Sequence, residues 1–211
     1  MAKIPEGLTG PVFGTIGSIV GSKWRGTPYI KSKAEKSDKP RSAKQIASQA
    51  KFKFLQNFLA TFRPYFIVGF QNESIYRSEW NSAFSANHQA VTGVFPDFNI
   101  DYRQVKLSSG LLPGLQNPEI SFPDQRTLQL RWQFVDGQMI SWDDQVTVVV
   151  YSAERQSAYG MVTATGRAVK SLSMPIDPRI IGQEIHVFIY LSTVNRRVIS
   201  NTQYLGKHLP G

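Results

Sequence analysis

The chain has 211 residues, 41% apolar and 18% charged, which is enough for a real core and too hydrophobic for disorder throughout. It has no cysteine, so disulfide scaffolds, thiolate zinc sites and cysteine nucleophiles are excluded. The whole formal charge of +9 lies in residues 1–63, which hold 12 Lys/Arg against 3 acidic residues; the remainder is neutral. A cationic segment on a neutral body separates the part that meets a partner from the part that folds.

Residues 1–41 carry Gly10, Gly14, Gly17, Gly21 and Gly26, then Lys31, Lys33, Lys36, Lys39 and Arg41. Glycine this dense disfavours a helix. Ile19-Val20 and Tyr29-Ile30 flank Trp24, and the pattern predicts a basic, extended arm with one or two short strands and tight turns. Pro11 and the glycines interrupt Leu8 to Val20, so no signal-peptide core of about 7–15 residues forms. No apolar run reaches the about 20 residues of a membrane span. The expected location is cytoplasmic or inside a released particle.

Ser42-Ala43-Lys44-Gln45 has the form of a capping box. Behind it Ile46, Ala50, Phe54, Phe58 and Phe62 recur every four residues, widened by Leu55 and Leu59, which predicts an amphipathic helix ending near Arg63-Pro64. Trp80, Ala83, Phe84 and Val91 predict a second helix over 74–91, with Gly93 as its C-terminal cap and Tyr65 to Phe70 as the connection. The two helices are expected to pair antiparallel, with their aromatic stripe packed on another part of the chain.

From residue 98 the period changes to two. Leu128–Trp132, Gln145–Tyr151, Ala168–Met174, Glu184–Leu191 and Val198–Tyr204 read as short antiparallel strands. Their number and spacing predict a β-sandwich of immunoglobulin or fibronectin type III kind, with Trp132 in its core. The expected fold class is therefore α+β. It divides into an arm at 1–41, a helical pair at 42–97, a connecting strand and turn at 98–115 and a sandwich at 116–211.

Several short motifs run through the chain. They are Gly14-x-x-Gly17-x-x-x-Gly21-x-x-Trp24-Arg25-Gly26, Ser42-x-x-Gln45 on a phenylalanine-rich helix, and Lys106-Leu107-Ser108-Ser109-Gly110-Leu111-Leu112-Pro113. The Trp132 strand, Asp143-Asp144 before a valine run, and Ser200-Asn201-Thr202-x-Tyr204-x-Gly206 complete the set. In this set the chain resembles a family of uncharacterised proteins from Bacteroidota. The resemblance implies a shared architecture and supplies no catalytic residue.

Catalytic signatures are missing. His88, His186 and His208 have no metal-ligand spacing, and His186 alternates outward on its strand as a surface residue. There is no Gly-x-Ser-x-Gly elbow, and Trp24 stands where a phosphate-binding loop needs Ser or Thr. Glu73 and Glu79 do not converge as a catalytic pair. Asp143-Asp144, with Asp136 nearby, reads as a turn ahead of a strand in preference to a cation site. The expectation is no catalysis, no cofactor, no metal and no small-molecule substrate.

The favoured function is a structural subunit of a homo-oligomeric particle, filament or virion. Ile19, Val20, Trp24, Arg25, Tyr29, Ile30, Lys31 and Lys33 are the expected contacts, adding a strand to a neighbour's open sheet edge. The alternative partner is nucleic acid, met by Lys23, Arg25, Lys36, Lys39, Arg41 and Lys44 with aromatic residues interleaved. A third reading is a carbohydrate- or surface-binding module, with Trp142 stacking on a sugar beside Asp143 and Asp144.

Overall fold

The computed structural model describes residues 10–24, 26–35, 40–73 and 77–210. The chain divides into two compact units, Met1–Ser42 and Ala43–Gly211. The first is a three-stranded antiparallel meander of β1 (Gly14–Ile16), β2 (Ile19–Trp24) and β3 (Thr27–Ser32). Gly17 and Gly26 take φ of +56° and +90° in its turns, where a side chain would strain the backbone. One strand more is present than the alternation predicts, because β1 has only three residues.

The second unit begins with α1 (Ala43–Ala60), directly behind Ser42. α2 (Arg63–Gly69) occupies the stretch expected to be a connection. Pro64 sits in its first turn, where the missing N–H leaves no helical bond unmade. The second predicted helix is shorter than its sequence pattern. α3 runs Glu79–Asn87, capped by the Ser78 hydroxyl, which accepts from the Asn81 N–H at 3.3 Å. Residues 74–76 lie outside the described residues.

Val91, read as helical, instead opens a hairpin of β4 (Val91–Val94) and β5 (Asp97–Ile100). Gly93 is not a helix cap. It pairs with Phe98 at φ +84°, and a Cβ there would land on the Asp97 carbonyl.

Seven strands follow: β6 (Gln116–Asp124), β7 (Thr127–Gln133), β8 (Gln145–Ser152), β9 (Ser157–Gly166), β10 (Ser171–Pro175), β11 (Ile185–Ser192) and β12 (Gln203–His208). One antiparallel sheet has the order β10-β7-β6 and the other β12-β11-β8-β9. β6 and β9 carry no alternation strong enough to predict them. β6 contains Pro118 and Pro123, tolerated on a sheet edge. The run expected from Ala168 begins only at Ser171, because Arg167–Val169 form a 3-10 turn. The last strand starts at Gln203, with Ile199 and Ser200 making isolated bridges.

The two sheets contribute to one hydrophobic cluster. Leu128, Leu130 and Trp132 of β7 and Met174 of β10 join Val146, Val148, Val150, Val187 and Ile189 of the four-stranded sheet. The opposite face of that sheet supplies Val149, Tyr151, Phe188 and Tyr190 to a second cluster with Leu55, Phe58, Leu59, Phe62 and Phe66. The aromatic helices therefore cover the sheet. β8 and β11 are buried on both faces, and they read as continuous apolar runs for that reason.

Candidate functional site

In the first unit β2 is the central strand, paired to β1 and to β3. Its backbone pairs on both sides at Ile19, Val20 and Gly21, so these residues have no edge to offer a neighbouring sheet, and Trp24 pairs with Thr27 of β3. β3 is an edge strand, interrupted by Pro28 and carrying Lys31, two devices that discourage edge pairing. Strand addition is closed to Ile19 and Val20, while Tyr29, Ile30 and Lys31 stand on the edge strand β3. The unit also presents its two faces.

Cross-strand register sorts the side chains. Ile16 pairs with Ile19, and Ile30 lies opposite Gly21 on the same face. Trp24, Tyr29, Val20 and Lys31 lie on the other face. Gly21 is the one buried residue among the described residues of this unit, because the Val12 carbonyl lies where its Cβ would be. The large apolar side chains are outside: Trp24 is 68% exposed, Ile30 63%, and Ile16, Ile19 and Tyr29 are exposed as well.

The cations are divided between the two faces. Lys31 lies over the Tyr29 ring at 5.8 Å, while Lys23 shares the isoleucine face. Lys33 leaves the sheet with its N–H on the Ser18 carbonyl. Lys44 is exposed on the first turn of α1 and Arg41 is exposed just before it. Arg25, Lys36 and Lys39 lie outside the described residues.

In the body, Trp142 is 70% exposed, but its two neighbours do not converge on it. Asp144 is buried and ion-paired to Arg167 at 3.3 Å, and its carboxylate accepts from the Ser141 N–H at 3.0 Å. Asp143 accepts from the Ser141 hydroxyl. The pair of aspartates is thus a turn and a buried salt bridge. Among the described residues no cluster of three or more His, Asp or Glu is placed to hold a metal ion. No described helix is long and apolar enough to cross a membrane.

Arg167 was invisible in the sequence. It stands between a glycine and an alanine with no motif around it, yet it joins four segments. Its guanidinium reaches Asp144 and donates to the Pro113 carbonyl, its N–H donates to the Asp144 carbonyl at 2.7 Å, and its own carbonyl accepts the Trp132 indole N–H at 2.7 Å.

His186 is not a surface residue. It is 6% exposed, stacked on Tyr102 at 3.5 Å between ring centroids, with Nδ1 2.8 Å from the Tyr204 hydroxyl. Alternation correctly placed it opposite Ile185 and Val187, but that second face is covered. Phe188 and Tyr190 beside it were the available signal. Burial holds its pKa down at about 4, with Lys207 and His208 adding to the depression and Glu184 opposing it. The unfolded chain therefore binds this proton below about pH 6.5 while the folded chain refuses it. Stability is full above pH 6.5 and falls by up to about 3 kcal/mol as pH drops toward 4. Urea denaturation of wild type and His186→Phe across this range checks it; the variant loses most of the slope.

The remaining motifs stitch the body together. Thr202 Oγ1 accepts from the Leu107 and Ser108 N–H groups at 2.8 and 2.9 Å. Asn201 accepts from the Gly110 N–H at 3.3 Å, and Ser200 accepts from the Leu191 N–H at 2.8 Å. A Cβ at Gly110 would meet the Ile199 carbonyl. These residues serve backbone closure.

The sequence model of a family described as "Family of unknown function (DUF6266)" matches residues 11–206. The chain belongs to this family. No curated protein matches the DUF6266 chain. Among solved structures, the fn3 domain of the human collagen alpha-1(XX) chain is similar at 12% identity and a TM-score of 0.34, covering 49% of the DUF6266 chain and 89% of that chain.

Proposed function

We propose that the protein is a non-enzymatic structural subunit that assembles with copies of itself through its N-terminal unit. One observation carries this reading. The β1–β3 sheet holds Ile16, Ile19, Trp24, Tyr29 and Ile30 on its outside and, among its described residues, buries only Gly21. A small sheet needs an apolar face packed on something, and exposed patches of this kind mark interaction surfaces. The isoleucine face is the assembly contact, and the rest of the chain is a self-sufficient body with two hydrophobic clusters.

That body is read as a fibronectin-type-III-like sandwich. Support comes from the strand order, with the first, second and fifth strands of the seven in one sheet and the third, fourth, sixth and seventh in the other. A core shared by both sheets, with Trp132 in it, agrees.

The opposite face of the N-terminal sheet supports nucleic acid as a second partner. Trp24, Tyr29 and Lys31 lie there together, the combination of aromatic surface and cation that stacks bases and meets phosphate. The two partners are compatible if one face meets protein and the other meets a strand inside the particle.

The expected result is specific to the isoleucine face. Ile19→Glu with Ile30→Glu abolishes higher-order association while near-UV and far-UV circular dichroism of the body stay unchanged. Trp24→Ala leaves association intact and lowers affinity for single-stranded DNA. Full association of the double-glutamate variant, measured by light scattering, contradicts the reading.

A further inference from the structure

The body contains an uncharged aromatic hollow. It measures about 320 Å³ and opens between α1, β5 and the turn joining β8 to β9. Its walls are rings. Phe54 lies 5.9 Å from Phe98 between centroids, Phe58 lies 5.3 Å from Tyr151, and Tyr102 lies 5.9 Å from Tyr151.

The rim is polar and neutral. Asn57, Asn99 and Gln156 line the hollow, and no hydrogen bond holds their side-chain amides among the described residues. The hydroxyls of Tyr102 and Tyr151 have no such partner either. Burial pushes the Tyr151 phenol up to about 12, with Tyr102 adding to the shift, so it stays protonated and both donates and accepts. No lining residue carries a charge.

A second hollow of about 570 Å³ lies along the same helix, lined by Gln56, Asn57, Ala60, Arg63 and Trp80. Asn57 belongs to both. The Arg63 guanidinium lies over the Trp80 ring at 5.8 Å.

We propose that these two hollows form one groove for a neutral oligosaccharide, with a pyranose ring seated among the aromatic residues of the first hollow and the chain of sugars crossing Asn57 toward Trp80. The chemistry selects this ligand. A charged ligand finds no counter-charge in the first hollow. Asn57, Asn99 and Gln156 are exposed, and a purely apolar ligand would strip water from these amides and the two phenols without returning hydrogen bonds. A sugar has C–H faces that pack on aromatic rings and hydroxyls that both donate and accept, which suits amides and phenols alike. The size fits as well, since ligand pockets start at about 300 Å³. The groove also replaces Trp142 as the sugar platform, because the aspartates beside that residue are engaged elsewhere.

The test is saturation-transfer NMR on the full-length protein with maltotriose, cellotriose and triacetylchitotriose as probes, an approach indifferent to the size of any assembly. The expected result is ligand signal from at least one of the three, with a dissociation constant near the millimolar range. Asn57→Ala, at an exposed helix position whose side chain forms no hydrogen bond among the described residues, weakens it by about tenfold, and Tyr102→Phe weakens it by a smaller factor. Trp142→Ala leaves it within about twofold. Absence of signal from all three trisaccharides overturns the proposal. So does binding that survives Asn57→Ala but is lost in Trp142→Ala, or binding confined to an acidic trisaccharide such as trigalacturonate. None of these outcomes bears on assembly through the isoleucine face.

Discussion

Arg167→Met is expected to lower the unfolding free energy by about 3–5 kcal/mol at pH 7. Both partners of the Asp144–Arg167 pair are almost fully buried, with side chains 3% and 1% exposed for Arg167 and Asp144. Removing the guanidinium leaves a carboxylate in the interior with only the Ser141 N–H to oppose its charge. It also takes a donor away from the Pro113 carbonyl. The backbone bonds of Arg167 to Asp144 and Trp132 survive, so the loss reports the charge and not the turn. Asp144→Ala combined with Arg167→Met recovers much of it, because replacing both members of a buried pair is far milder than replacing one.

The pH dependence gives a second readout. Burial already raises the Asp144 pKa, against the Ser141 hydrogen bond and Arg167, which lower it. Without Arg167 it rises further. A carboxyl with a raised folded-state pKa is destabilising when ionised, so protonation relieves the cost. The gap between Arg167→Met and wild type in urea denaturation therefore narrows as pH falls from 7 toward 4.5. A gap that widens, or a single variant within about 1 kcal/mol of wild type, would show that the pair does not hold these segments.

Phe62→Ala is the second large effect, a loss of about 3–5 kcal/mol. Phe62 has no exposed surface and stands at the centre of the helix–sheet contact. Its ring lies 5.2 Å from Phe58 and from Tyr151, and 6.1 Å edge-on from Phe188. Truncation removes aromatic contacts on both the helical and sheet sides and leaves a cavity that neither can close alone. Phe62→Leu keeps most of the volume and recovers roughly half the loss. If Phe62→Ala costs less than about 1 kcal/mol, the helices are a loose attachment and not a layer of the core.

The parts of the fold legible in the sequence are those with one strong period. Phe54, Phe58 and Phe62 at four-residue spacing placed the start and course of α1, but the helix ends at Ala60, short of the expected Arg63-Pro64, and Phe62 caps α2 instead. The β-branched and apolar runs placed β7, β8 and β11. The hairpin at 91–100 was missed because Val91 continues the helical spacing of Trp80, Ala83 and Phe84, and tertiary context overrides it. β9 was missed because Ala158, Gly160 and Ala164 are small, and a register shift breaks its pairing with β8. The exposure of a face cannot be read from alternation alone. His186 lies on the predicted side of β11, but whether that side meets water depends on Tyr102, far earlier in the chain, and on Tyr204 of the neighbouring strand. Arg167 and the aromatic hollow are similarly distant juxtapositions. In the N-terminal unit the residue types were legible and the pairing was not: three strands place Ile19 and Val20 on the central strand and leave Tyr29, Ile30 and Lys31 on the edge strand β3.

The central claim concerns that sheet, and its most direct test is the mass in solution of nucleic-acid-free, full-length protein by light scattering after size exclusion, with Ile19→Glu/Ile30→Glu and a truncation to residues 43–211 beside it. The account predicts a defined assembly for the full chain and folded monomers for both variants. A full-length protein that is monomeric across the concentration range, or a truncated body that still assembles to the same mass, would contradict it.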